Sequence, residues 1–219
     1  MAARARGQQP AAARRDPLDV PDDARWSHNL HYARQLIELV PSGARDALDA
    51  GCGEGTVARL LRRRVPHVVA LDIDAACLDA ARAADAGNDI DSVRADMLAA
   101  PFTDESFDVV VSVAALHHTD ERAALARLAR VLRPGGLLAV VGLARSRTRY
   151  TPLDVAGAVG TRMHQRTKGL WDPPACMPIV WPPPRTYGDV KAIARRTLPD
   201  VEYRRRLLWR YTLVWRKPA

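Results

Sequence analysis

The sequence is poor in the features that mark a secreted, metal-bound or membrane-spanning chain. It has three cysteines in 219 residues. Cys52, Cys77 and Cys176 stand far apart with no CxxC, which argues against both a disulfide framework and a structural zinc site and leaves reduced, partly buried thiols as the expectation. No apolar stretch approaches the ~18 residues of a membrane span. The basic start (Arg4, Arg6, Arg14, Arg15) has no apolar core behind it, unlike a secretory leader. A soluble cytoplasmic protein with one sizeable domain is expected. Lysine is scarce as well: three stand against thirty arginines in a total of 33 basic residues.

The net charge of +8 invites a nucleic-acid reading, but its distribution matters more than its size. Residues 1–15 carry four arginines and no acid, and residues 191–219 carry nine basic residues against Asp200 and Glu202. Those two ends hold +4 and +7, three more than the whole chain's +8, so the middle is near −3. Arginine-rich, alanine-rich composition is equally what a GC-rich genome produces. Nucleic acid is therefore the weaker partner reading, behind a small-molecule substrate.

What is present centres on Leu48-Asp49-Ala50-Gly51-Cys52-Gly53-Glu54-Gly55-Thr56. An apolar run ends in Asp49, three glycines follow at alternate positions, and Val57, Leu60 and Leu61 then recur at helical spacing. Strand, tight turn and helix follow from that pattern. A glycine-rich turn lets backbone approach a ligand closely, and the helix start offers N–H groups to an anion. In a dinucleotide-binding fingerprint the third glycine falls five positions after the first. Here that position is Thr56, which disfavours an NAD-dependent oxidoreductase.

Asp49-x-Gly51-x-Gly53-x-Gly55 resembles the first motif of the class I S-adenosylmethionine-dependent methyltransferases. Val131-Leu132-Arg133-Pro134-Gly135-Gly136, set before an apolar strand, also looks like that family. The resemblance covers residues 26–143 and implies S-adenosyl-L-methionine as cofactor, S-adenosyl-L-homocysteine as product, and no metal. It implies a doubly wound, Rossmann-like α/β sheet of seven mostly parallel strands, with helices on both faces and the last strand antiparallel.

The chain in order agrees with this. Residues 1–21 lack periodicity and read as a disordered tail. Asp22 and Asp23 could cap a helix over Trp26–Val40 that Pro41-Ser42-Gly43 ends. In the family such a helix covers the cofactor's methionine end, which makes Asn29 and Tyr32 candidates for that contact. His67–Asp72 reads as a second buried strand, with Asp72 lying 21 positions after Gly51. A carboxylate there can accept from both ribose hydroxyls of an adenosine, with Ile73 against the adenine. Asp74 is the better cap for a helix over 75–84. A third short strand ends at Asp96; the resemblance gives Asp96 the adenine amino group and Met97 the ring.

Ser106–Val113 is a fourth strand, apolar on both faces as a sheet centre should be, and Thr119 opens the next helix. Strand ends converge on Asp49, Gly51, Asp72, Asp96 and Ser112, where ligands of such sheets bind. His117 and His118 follow the fourth strand, where the transferred methyl should lie. His117 is the favoured general base, with His118 second. The Asn/Asp-Pro-Pro-aromatic sequence of methyltransferases acting on nucleobase amino groups is replaced by Ala-Ala-Leu-His-His.

Beyond 145 the resemblance thins. Thr151–Thr167 reads as a helix with Leu153, Ala156, Val159 and Met163 as its apolar positions. Residues 171–184 hold six prolines with Trp171, Met177 and Trp181 among them, and read as a lid or substrate wall. Residues 201–215 alternate with period two, yet no Gly, Asn or Pro marks a turn between Arg204 and Tyr211. The arginines of that stretch read as a solvated face first and a phosphate stripe second. The expected organisation is a tail (1–21), then one domain with a cap helix (22–44), a cofactor-binding core (45–145), a substrate or lid insertion (146–187), and a closing helix and strands (188–219). A monomer or homodimer is expected. A binding protein that transfers no methyl is the rival outside the enzymes.

Overall fold

A computed structural model of the chain describes residue 22 and residues 26–87, 89–147, 151–167, 176–177 and 179–219. The helices are α1 (His28–Ile37), α2 (Thr56–Arg62), α3 (Ala75–Ala84), α4 (Glu121–Val131), α5 (Pro152–Thr167) and α6 (Tyr187–Thr197). The strands are β1 (Asp46–Ala50), β2 (His67–Asp72), β3 (Ile90–Arg94), β4 (Phe107–Val113), β5 (Leu132–Leu143), β6 (Glu202–Arg205) and β7 (Arg210–Arg216). They form one seven-stranded sheet in the order β3-β2-β1-β4-β5-β7-β6. The first five run parallel; β7 is antiparallel to both β5 and β6.

Strand alternation divides the core. Ala47, Val109, Val111, Ala139 and Val141 face α1 and α2, while Leu48, Val110, Leu138 and Val140 face α4 and α6. Because neighbours i and i+1 point to opposite faces, a strand buried on both sides reads as an unbroken apolar run. The order reverses between β1 and β4, and the crevice opens at the carboxyl ends of those strands. At the opposite end, Arg133 ties the start of β5 to β1 and β4, donating to Asp46 at 2.7 Å and Asp108 at 2.9 Å.

Where side chains cap the helix starts, two of the caps are not where expected. Ser27 caps α1, accepting from Leu30 N–H at 3.1 Å. Asp22 instead binds Arg59 Nε at 2.8 Å, and Asp23 lies outside the described residues. Asp74 caps α3 as expected. Asp120 rather than Thr119 caps α4: a carboxylate accepts from Ala123 N–H, whereas the Thr119 hydroxyl donates back to Leu116 C=O. On α5 the apolar side chains of Leu153, Val159 and Met163 are exposed.

The closing strands also correct the sequence. Residues 206–209 turn with no glycine, because Leu208 (φ 61°) and Trp209 (φ 56°) both adopt the left-handed conformation. Such residues cost roughly 1–2 kcal/mol each. Here the ladder closes over them, with Arg206 N–H donating to Arg210 C=O at 2.8 Å. Arg204 is solvated as expected, but Arg206 is half-buried and Arg210 is buried.

Candidate active site

The floor of the crevice is the turn after β1. Leu71 C=O accepts from both Gly51 N–H (2.8 Å) and Cys52 N–H (2.9 Å), which pins the glycine turn to the end of β2. Gly51 has φ 78°, and a Cβ there would collide with the Cβ of Ala115. A Cβ on Gly53 would collide with the methyl of Met177. Gly55 does a different job, starting α2 as its N-cap without lining the cavity.

Asp72, at the tip of β2, divides its two oxygens: Oδ2 accepts from Gly53 N–H at 2.8 Å and Oδ1 from Asp74 N–H at 3.0 Å. Each carboxylate oxygen has a second acceptor site, so the group fixes the loop and still faces the cavity it lines. Asp96 also faces the cavity from the end of β3, exposed, with Oδ1 held by Leu98 N–H at 2.9 Å. Met97 is buried beside it, and Ile73, 65% exposed, stands on the rim between the two acids.

Beneath these lies a buried acidic pair. Asp49 is fully enclosed with Oδ2 lacking any hydrogen-bond partner, and burial pushes its pKa up to about 8. Glu54 is paired with Arg59 at 3.0 Å and accepts from the Thr56 hydroxyl. Arg59 also reaches Asp22, so the segment before α1 is anchored to the glycine loop.

Two expected contacts fall elsewhere. Ser112 donates to Ala50 C=O at 2.8 Å and does not line the cavity; at the sheet centre its hydroxyl has to be satisfied internally. Tyr32 is buried within the core face of α1 with the Arg206 guanidinium 5.8 Å from its ring centre, again off the cavity. Asn29 does line it, and its Oδ1 accepts from Arg210 Nε at 2.6 Å.

Past β4 the character changes. Ala114 takes a left-handed turn (φ 55°), and His117 and His118 follow in a single turn of 3₁₀ helix with ring centres 4.0 Å apart. Both histidines line the cavity. Burial first, then the neighbouring charges of His118 and Arg210, pull the His117 pKa down to about 4, so its ring is neutral at physiological pH. Its buried Nδ1 has no partner. Val113, Leu143, Val180, Trp181 and Trp209 supply apolar wall, with Trp181 edge-on to Trp209 at 6.3 Å. Trp171 lies outside the described residues. The whole cavity measures about 710 Å³, within the usual ~300–1,000 Å³ of ligand sites.

The cysteine expectation is overturned. Cys77, on α3, and Cys176 are disulfide-bonded with Cα atoms 5.4 Å apart, while Cys52 is free and buried. A separation of 99 residues hides the pair from any spacing rule; the fold brings the proline-rich segment to α3 at the cavity's edge. Other wall groups were also missed: Glu54 stood legibly inside the glycine motif, whereas nothing local marks Trp209 or Arg210.

The comparisons with known proteins agree on the family. A family model described as a methyltransferase domain matches residues 48–140. An uncharacterized methyltransferase of Mycobacterium tuberculosis is 41% identical over 198 residues, spanning 90% of this chain and 100% of that one. The chain belongs to the class I S-adenosylmethionine-dependent methyltransferases. A phthiotriol/phenolphthiotriol dimycocerosates methyltransferase of the same species is 36% identical over 123 residues, 55% of this chain and 45% of that one. In fold, this methyltransferase matches the phosphoethanolamine N-methyltransferase 2 of Haemonchus contortus, solved with phosphomonomethylethanolamine and S-adenosylhomocysteine. The TM-score is 0.57 at 19% identity, over 80% of this chain and 38% of that one. It is an enzyme that uses S-adenosylmethionine. Among the described residues no helix is long and apolar enough to cross a membrane.

Proposed function

We propose that this methyltransferase acts on a small-molecule acceptor, delivering the methyl group to an O, N or C nucleophile by in-line displacement. The observation that carries the reading is the acceptor end of the cavity, an apolar pocket between β4, β5 and the segment at 176–181, continuous with the glycine turn. Arg204 and Arg216, the exposed arginines of the closing strands, do not line it, which counts against a nucleic-acid track.

The residues present fit the cofactor. Asp49 Oδ2, buried with no hydrogen-bond partner among the described residues, marks the polar floor of the crevice, beside a glycine turn whose backbone Ala115 and Met177 approach closely. When the cofactor is bound, Asp72 would hold the ribose hydroxyls, Asp96 and Met97 the adenine, and Ile73 would cover the ring. S-adenosylmethionine supplies a sulfonium-bound methyl that is already electrophilic, so the chain's task is alignment and exclusion of water. Orientation alone is worth ~7–11 kcal/mol. Met177, Val180, Trp181 and Trp209 line the acceptor side with apolar surface. His117 is neutral; the burial that keeps it neutral also makes it a weak base, suited to a nucleophile whose own proton is acidic.

Incubating the enzyme with methyl-labelled S-adenosylmethionine and a fractionated cell extract tests this directly. Label is expected in the low-mass organic fraction. Label confined to RNA, DNA or protein would refute the small-molecule reading while leaving the cofactor assignment intact.

A further inference from the structure

Arg210 opens β7 and is 8% exposed, yet its partners are neutral. Nε donates to Asn29 Oδ1 at 2.6 Å and Nη1 to Leu208 C=O at 3.0 Å. No carboxylate pairs with it among the described residues. It is also the one Lys or Arg among the described residues lining the cavity. Burying a charge without a counter-ion is costly, and burial here pulls the guanidinium pKa down to about 10, which still leaves it cationic at neutral pH. The groups that favour its charge are two phenols, Tyr187 and Tyr32, and no carboxylate.

Position says whose anion is wanted. The cavity's acids, Asp49, Glu54, Asp72 and Asp96, belong to the ends of β1, β2 and β3 and the turn after β1. Arg210 pairs with Leu143 of β5, so it lies two strand spacings, about 10 Å, beyond β4 on the opposite side. Its surroundings are apolar: Val113, Leu143, Val180, Trp181 and Trp209 line the same end, with His117 neutral. That is a wall of apolar side chains and the amide of Asn29 in which Arg210 is the one Lys or Arg among the described residues.

We propose that Arg210 is an anion-binding site for the acceptor, and that the substrate is an apolar molecule bearing a single carboxylate or similarly acidic oxygen. This rests on the small-molecule reading above. Asn29 and the Leu208 carbonyl hold the guanidinium flat against the wall, and its remaining N–H groups take the anion. Arg210 thereby selects and positions the acceptor.

The test uses the full-length enzyme saturated with S-adenosylhomocysteine and titrated calorimetrically with a matched pair, 2-naphthoate and 2-naphthamide. A charge-assisted hydrogen bond predicts that the carboxylate binds at least about tenfold tighter. Arg210→Met should erase that preference with S-adenosylhomocysteine affinity unchanged, and Arg210→Lys should restore part of it. The site is overturned if the wild-type enzyme binds both probes equally or neither. It is overturned too if Arg210→Met weakens the homocysteine product instead, since the arginine would then serve the cofactor's own carboxylate. Should Arg210→Met fail to fold, the wild-type pair still decides. Failure of the small-molecule reading shows separately, as label in macromolecular fractions.

Discussion

At the β1–β3 end of the cavity, the ligand-facing groups sit within a residue or two of a strand end or in one nine-residue glycine stretch, and acids dominate. At the other end the groups come from α1, the ends of β4 and β5, residues 177 and 179–181, and the turn into β7; Asn29 and Arg210, in direct contact, are 181 residues apart in sequence. One end is local and anionic, the other assembled and apolar around a lone cation. The local end is built to grip one fixed partner. Its counterpart, drawn from elements that vary independently, is where acceptor choice resides.

That contrast can be broken by experiment, most sharply at Asp72. Removing its carboxylate in Asp72→Ala takes two hydrogen bonds from the glycine turn and α3 as well as the ribose contact. At ~1.5–3 kcal/mol for each charge-assisted bond, S-adenosylhomocysteine affinity should fall by about 100-fold or more in calorimetry. An unchanged affinity would mean the cofactor does not lie where the acids are. Next in size, His117→Ala should lower turnover by roughly 100-fold, the lower range for a positioned proton acceptor, while leaving cofactor binding intact. Loss of cofactor affinity instead would move His117 to the local end.

Gly51→Ala should destabilise the fold by about 1–3 kcal/mol in denaturant titration, from a left-handed φ and the collision with Ala115. The smallest effect is electrostatic. With Asp49 pushed from 3.8 up to about 8, the folded protein holds a proton that the unfolded chain releases between those pH values, so stability falls as pH rises through that window. Glu121, pushed up to about 7, acts in the same direction, and His117, pulled down to about 4, opposes both below 6.5. Comparing wild type with Asp49→Asn isolates the first: the variant's melting temperature should decline less from pH 5 to 8. Parallel curves would mean that Asp49 titrates normally.

Much of the local end was legible because its chemistry is written in consecutive residues. An apolar run, an acid and alternating glycines fix a strand, a turn of positive φ and a helix start, and the unbroken apolar β4 places it at the sheet centre. Ser112 was misread for the same reason: lying at a strand end did not reveal which way its hydroxyl points. The β6–β7 turn escaped notice because Leu208 and Trp209 adopt a conformation neither favours, held there by the ladder on both sides. The Cys77–Cys176 bond and the Arg210–Asn29 contact join segments that no periodicity relates.

The sequence by itself determined the family, the five parallel strands and the acids at their tips, because strand period, turn chemistry and spacing are short-range properties of the chain. Only the tertiary structure decided what the acceptor meets. A buried arginine at an alternating strand position and an exposed one look identical in sequence, and the difference lies in which distant surfaces close over it.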